Sequence, residues 1–260
     1  MKNIKIPSNK GNLEATIHKA EGDKLAILCP GFLDSKDYSG LLDLAKRLNK
    51  QAYTVVRFNP TGTWESAGEI ADYTITQYLK DIKNVLDFML KEKNYQQILL
   101  GGHSQGAQLT ILFTAKDLRI SQVLAIMPSS GPTIGERRTN WKKNGYIGTR
   151  DLPFSRKQTI EFKVPFSRVL DRDQYDALGD IKKIKVPIFI IAGELDEIVL
   201  PAEVKKLYAN QPKLFLSLPA IGHDYRLNDD EVKFVNDKIM EKLENLKTQT
   251  IPNQIQRSSN

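Results

Sequence analysis

The residues with the most chemistry in this chain stand in the run Gly102-His103-Ser104-Gln105-Gly106, between the apolar stretch Ile98-Leu99-Leu100-Gly101 and the helix-compatible Ala107-Gln108-Leu109-Thr110-Ile111-Leu112. A Gly-x-Ser-x-Gly run between a strand and a helix puts its serine on a sharp, strained turn. The residues two places to either side must then be small for strand and helix to approach. Gly102 and Gly106 meet that requirement, and Ser104 is a candidate nucleophile. The run fits Gly-x-Gly-x-x-Gly in no frame and no Gly-Lys-Ser/Thr follows it, which disfavours a nucleotide site.

A serine hydroxyl is too weakly acidic to attack at neutral pH unless a base takes its proton, and histidine is the usual base. The chain has three histidines. His18 falls in a predicted amino-terminal hairpin and is expected at the surface. His103 is too close in sequence to face its neighbour's hydroxyl productively. His223, in Pro219-Ala220-Ile221-Gly222-His223-Asp224 after an apolar strand, is left as the base. An acid must fix its tautomer, and Gly193-Glu194-Leu195-Asp196-Glu197-Ile198-Val199 offers three carboxylates, of which Asp196 leads and Glu194 and Glu197 stay open. The order Ser104, Asp196, His223 is the one described for a serine on such a turn. Two backbone donors are needed for a developing oxyanion. The Gln105 amide directly after the serine is one, and the Phe32 amide in Pro30-Gly31-Phe32-Leu33-Asp34 is the candidate for the other.

These groups require a frame of strands whose carboxyl ends share one edge. Short aliphatic runs alternating with longer amphipathic ones predict an α/β fold, with strands at Lys2–Ile6, Leu13–Lys19, Leu25–Cys29, Thr54–Phe58, Gln97–Gly101, Gln122–Met127, Pro187–Ala192 and Lys213–Leu218. Helices are predicted over Leu41–Asn49, Ile75–Lys93, Gln105–Ala115, Ala202–Tyr208 and Asp230–Leu246, and the first two strands form a hairpin across Gly11-Asn12. Residues 132–178 carry no strong strand run and read as a cap or lid inserted into a core of 1–131 and 179–246, with 247–260 a flexible polar tail.

The chain has 260 residues, 40% of them hydrophobic, which suits one large domain and excludes a disordered protein. One cysteine cannot form a disulfide framework or a cysteine-rich metal site, so no metal and no cofactor are expected, and a reducing, cytoplasmic setting is. No secretory signal is visible, and no apolar run approaches the roughly 18 residues that cross a bilayer, so no stable membrane insertion is expected. A net charge of +7 admits anionic partners, but no groove-reading motif accompanies it, and no nucleic acid is expected as a partner. A homodimer is compatible with the sequence without being dictated by it.

Taken together, Cys29-Pro30-Gly31-Phe32, the stretch from Val56 to Gly68 and Gly102-His103-Ser104-Gln105-Gly106 resemble the α/β-hydrolase family, and within it bacterial carboxylesterases of the cinnamoyl and feruloyl esterase type. The resemblance runs up to about Lys247. It implies a mostly parallel eight-stranded sheet with the second strand antiparallel, helices on both faces, a cap insertion after the sixth strand, and a Ser-Asp-His triad. It also selects Asp196, through the pattern Gly-x-x-Asp-x-x-Val. The implied activity is hydrolysis of a small-molecule ester, with short acyl or hydroxycinnamoyl groups. Thioesterase, acylaminopeptidase-like and lipase-like activities are the same-class alternatives, and a silent binding protein on the same fold is the one outside it. The chain departs from the family in carrying Pro30-Gly31 where His-Gly is usual, and Gly62-Thr63-Trp64-Glu65-Ser66 where Gly-x-Gly-x-Ser is common.

Trp64, Trp141, Tyr146 and Phe166 are the candidates for substrate contact, although aromatic residues in a cap also serve simply to dock it. Residues 132–178 hold ten basic against six acidic residues, so +4 of the +7 lies there. That charge reads either as a solvated surface or as a face that steers anionic substrates.

Overall fold

A run such as Leu25-Ala26-Ile27-Leu28-Cys29 offers apolar side chains to both faces of a strand, and its burial requires helices above and below. In the computed structural model, residues 1–210 and 214–249 are described, the side chains of 214 and 245–249 excepted. In chain order the elements are β1 (Lys2–Ser8), β2 (Gly11–His18), β3 (Lys24–Cys29), α1 (Ser39–Lys50), β4 (Tyr53–Phe58), α2 (Ile75–Glu92), β5 (Gln97–His103), α3 (Gln105–Thr114) and β6 (Gln122–Ile126). They continue as α4 (Gly135–Asn144), β7 (Tyr146–Leu152), β8 (Ser155–Val164), α5 (Ser167–Arg172), α6 (Ala177–Asp180), β9 (Ile188–Gly193), α7 (Pro201–Asn210), β10 (Leu214–Leu218) and α8 (Asp229–Gln249).

Eight strands form one sheet in the order β1-β2-β4-β3-β5-β6-β9-β10. Strand β2 runs antiparallel to both neighbours and the other pairings are parallel, as the resemblance implies. Alternation along β3 sorts the core. Leu25, Ile27 and Cys29 belong to the core layer that also holds residues of α2, α3 and α7, while Ala26 and Leu28 belong to the layer on the opposite face with α1 and α8. Helix α2 buries Ile75, Tyr78, Ile82, Val85 and Met89 along one stripe, and Thr74 caps it by accepting the Gln77 amide at 3.0 Å. Helix α3 is buried on every side and has no amphipathic period to read.

Three expectations need correction. The first turn falls at Asn9-Lys10, between Ser8 and its partner Gly11, rather than at Gly11-Asn12. Residues 132–178 do contain strands: β7 and β8 pair antiparallel from Tyr146↔Val164 to Asp151↔Thr159. Most of their side chains are charged or exposed, which hides an apolar run, although Ile160, Phe162 and Val164 alternate with Glu161 and Lys163 at the strand period. Helix α8 extends to Gln249, through the first three residues assigned to the tail, while 250–260 and Lys213 lie outside the described residues.

His18 is likewise not at the surface. It is only 6% exposed at the end of β2, with Nε2 facing Arg57 Nη2 at 3.4 Å. Arg57 can only donate, so that nitrogen is unprotonated. Burial first, and then the Arg57 charge, hold His18 down from 6.5 to about 4. The unfolded chain takes up this proton below pH 6.5 and the folded one only near 4, so the stability His18 contributes is whole above 6.5 and is lost as pH falls through that window. His18→Gln, compared with the parent by thermal unfolding between pH 7 and pH 4, should flatten the fall in Tm. Parallel curves would show that His18 does not titrate in this way.

Candidate active site

Strands β3, β5, β9 and β10 point the same way, so the loops that follow them meet along one edge of the sheet. Between β5 and α3, Ser104 takes φ +54° and ψ −116°, a left-handed conformation rare for a residue with a Cβ. Its amide donates to Ile126 O at 2.8 Å, and its carbonyl accepts the Gln108 amide at 3.0 Å. Both flanking glycines are required by close approach. A Cβ on Gly102 would stand 2.5 Å from the carbonyl carbon of Gly106, and one on Gly106 would stand 2.1 Å from the carbonyl oxygen of Cys29. The serine hydroxyl therefore projects from a turn at which β5, α3 and the end of β3 are in contact.

The loop after β9 carries Asp196, 2% exposed, whose Oδ1 accepts the Ile198 and Val199 amides at 2.9 and 2.7 Å. Its other oxygen lies 2.7 Å from His223 Nδ1. Glu194 and Glu197 point outward and are exposed, Glu194 lying 3.4 Å from Lys205, so Asp196 alone of the three faces the imidazole. His223 Nε2 lies 2.9 Å from Ser104 Oγ. A carboxylate only accepts, so Nδ1 carries the proton and Nε2 is free to accept from the serine hydroxyl. The structure thus brings Ser104, Asp196 and His223 into one hydrogen-bonded chain. His103 makes no bond to the serine. Its ring lies 4.8 Å from that of His223, and its Nδ1 faces Asp34 at 3.8 Å. Burial lowers the His103 pKa, against the pull of Asp34.

The loop after β3 is fixed from several directions. The hydroxyl of Tyr73, a residue just past the short turn Ile70–Asp72, accepts the Leu33 amide at 3.1 Å and donates to Gly31 O at 3.5 Å. Because the Gly31–Phe32 peptide is trans, holding its carbonyl on the Tyr73 side turns the Phe32 N–H to the opposite side. That amide has no acceptor among the described residues. On the carbonyl side of Phe32, Arg150 Nη2 donates to its oxygen at 2.7 Å, and Arg150 Nε lies 3.3 Å from Asp34. Burial pushes the Asp34 carboxyl up, but the contact with His103 and the charges of Arg150 and Arg226 together hold it below its ordinary value.

Of the four aromatic candidates, Trp141 and Tyr146 gather on Phe32, with ring centroids 6.1 and 5.7 Å away, and they lie 4.7 Å from each other. Trp64 supports the same loop from outside by donating Nε1 to Leu33 O at 3.1 Å. Phe166 is not drawn into this group and faces the Arg138 guanidinium at 5.5 Å. The sequence reading missed Tyr73, Arg150 and Arg168. Arg168 comes from α5, donates to Gln105 Oε1, and lies 4.3 Å above the Phe32 ring. None of the three belongs to a motif. In the sequence the two arginines are part of the basic excess of 132–178, which reads as a solvated or steering face, and nothing marks Tyr73.

The chain has the α/β-hydrolase fold. Residues 20–145 match the family model described as Hydrolase_4, serine aminopeptidase S33. The structure superposes on that of ferulic acid bound to Est1E from Butyrivibrio proteoclasticus with a TM-score of 0.75 at 18% identity, covering 93% of this chain and 98% of that one. In sequence it is 33% identical over 133 residues to human serine hydrolase BPHL, covering 50% of this chain and 40% of that protein. It is 20% identical over 177 residues to mouse mitochondrial palmitoyl-protein thioesterase ABHD10, covering 66% of this chain and 59% of that protein. No helix among the described residues is long and apolar enough to cross a membrane.

The contact at Gly106 is directly testable. Gly106→Ala places a methyl against the Cys29 and Pro30 carbonyls, which are backbone and cannot swing away. A loss of stability of roughly 1–3 kcal/mol, the usual range for overpacking, is expected in denaturant unfolding, together with weaker labelling of Ser104 by a fluorophosphonate. An alanine variant of unchanged stability would mean that α3 and β3 are not in this contact.

Proposed function

We propose that the protein is a serine carboxylesterase acting through an acyl-enzyme. The observation that carries the reading is the position of His223, 2.9 Å from Ser104 Oγ and 2.7 Å from Asp196, and it is supported by a Phe32 amide that has no acceptor among the described residues. Ser104 Oγ attacks the ester carbonyl while His223 Nε2 takes its proton, and the carbonyl π electrons move to oxygen. Amides of Phe32 and Gln105 receive that oxyanion. On collapse, His223 returns the proton to the leaving alkoxide, and the acyl group stays on Ser104. A water then repeats the sequence, releasing the acid and restoring the hydroxyl. Asp196 holds the tautomer and stabilises the imidazolium.

In this reading residues 132–178 are a cap over a core of 1–131 and 179–246, and the substrate is a small-molecule ester. The Phe32, Trp141 and Tyr146 cluster favours a short or aromatic acyl group, and the likeness to a structure with ferulic acid bound supports the hydroxycinnamoyl choice. The likeness to a palmitoyl-protein thioesterase supports a second reading, hydrolysis of thioesters, on the same residues. We assign the protein to the cytoplasm on its lone, buried cysteine.

Ser104→Ala should abolish turnover of p-nitrophenyl acyl esters with the fold unchanged by circular dichroism, and a fluorophosphonate adduct should map to Ser104. Retained turnover, or an adduct elsewhere, would remove the assignment. Matched ester, thioester and anilide substrates then rank the readings. Tyr73→Phe deletes the hydroxyl that sets the Gly31–Phe32 peptide and should lower kcat about tenfold, less than the roughly 10²–10³ expected for loss of an oxyanion donor itself. An unchanged kcat would show that the loop holds its shape without Tyr73.

A further inference from the structure

Arginines around the site pair with carboxylates, but two on α5, Arg168 and Arg172, form no ion pair among the described residues, and of these Arg168 lies against the loop after β3. Arg57 has Asp37 at 2.8 Å, Arg150 has Asp34 at 3.3 Å, and Arg226 has Asp151 at 2.8 Å. Arg168 is only 3% exposed and forms no ion pair among the described residues. Its Nη2 donates to Gln105 Oε1, its Nε is buried without a partner, and its guanidinium lies 4.3 Å from the Phe32 ring centroid and 5.0 Å from that of Tyr73.

An arginine stays charged in a protein, and an uncompensated buried charge costs several kcal/mol. Faces of two aromatic rings return part of that cost. The residues Arg168 touches are Phe32 and Gln105, whose amides the proposed function assigns to the oxyanion, together with Tyr73, which orients the Phe32 peptide. A cation held there before the reaction has no carboxylate at ion-pair distance among the described residues, Asp171 acting on it only from farther off while bound to Thr76. The negative charge that forms on the substrate oxygen supplies a counter-charge. Charge fixed in a dry site stabilises such an oxyanion without reorganisation at the moment of reaction.

We propose that Arg168 is a positioning residue of the oxyanion hole, delivered by the insertion between β6 and β9, which acts through Phe32 and Gln105 to favour the charged transition state. The hole is thereby built from both parts of the chain: its amides belong to the loops after β3 and β5, and its uncompensated charge belongs to α5. The proposal rests on the acyl-enzyme reading above. That reading is tested separately by the fluorophosphonate adduct of the unaltered protein.

The experiment compares Arg168→Met, which keeps the stem and loses the charge, with Arg168→Lys, which keeps the charge and loses the planar stacking. Steady-state kinetics on a p-nitrophenyl ester should show Arg168→Met reduced about 10–100-fold in kcat with KM within about twofold, and Arg168→Lys recovering much of the loss. Affinity for a trifluoromethyl ketone, which binds as an anionic adduct of the serine, should fall with kcat. Equal losses in the Met and Lys variants, a loss confined to KM, or a fully active Met variant would overturn the proposal and leave Arg168 a packing residue. If Arg168→Met does not fold, Gln105→Leu keeps the backbone amide and frees the guanidinium. Its kcat should fall severalfold, and an unchanged kcat would overturn the proposal equally.

Discussion

Ser104 holds a backbone conformation that costs about 1–3 kcal/mol for a residue with a side chain, and the surrounding chain has to hold it there. The turn is fixed on both sides: its amide is bound to β6 through Ile126 O, and its carbonyl to the first turn of α3 through Gln108. Such fixing requires β3, β5 and β6 to lie side by side in parallel and α3 to cross directly against the end of β3. Once those contacts are made, the loop after β3 has nowhere to go but alongside the serine. The course of that loop follows from the contacts around Ser104, and the orientation of the Phe32 peptide within it from the Tyr73 hydroxyl and from Arg150.

The other loops solve a different problem, that of keeping polar groups ordered where water is scarce. Asp196 is satisfied by amides of its own loop, so its orientation does not depend on His223. Asp34, by contrast, depends on three other parts of the chain: His103 at the end of β5, Arg150 from β7 and, through its charge alone, Arg226 from the loop after His223. The Tyr38 hydroxyl donates to Asp151 O at 2.8 Å, and the Arg226 guanidinium lies 3.9 Å over its ring. Strand β7 is thereby tied to the oxyanion loop, to the start of α1 and to the histidine loop. A displacement of the insertion would reach Phe32 through Arg150 and His223 through Arg226.

The sequence made legible whatever depends on local chemistry or on period. Ser104 and its glycines stand in a motif whose spacing is a steric requirement, and β3 and α2 carry periods of two and 3.6 that report their burial. Scarcity made His223 legible, since the two other histidines have visible reasons to be elsewhere. One of those reasons was mistaken: His18 is buried against Arg57, a pairing between β2 and β4 that no local pattern records. The same limit explains Tyr73, Arg150 and Arg168. Each acts across the fold on a residue at least 40 positions away, such as Leu33, Phe32 or Gln105, and a single sequence carries no trace of such pairs. Hairpin β7–β8 differs, because its alternation at 159–164 was present and was masked by charged neighbours.

Charge in the insertion changes meaning once it has a place. Along the sequence, ten basic residues against six acidic ones describe a positive face that would steer anions from a distance. In the fold, Arg138 is taken up by Asp173, Arg150 by Asp34 and Arg156 by Asp229, and these charges are largely spent locally. Arg168 and Arg172, one turn apart on α5, turn inward instead. Burial first, then the Arg168 charge, pull Arg172 down to about 10, and among the described residues it donates only to Thr133 Oγ1 at 3.4 Å. Exposed charges are screened beyond about 8 Å at physiological ionic strength, whereas buried ones are screened far less. The excess that bears on the proposed chemistry is therefore the buried charge of Arg168 on α5, against the Phe32 ring and Gln105, and not the solvated face.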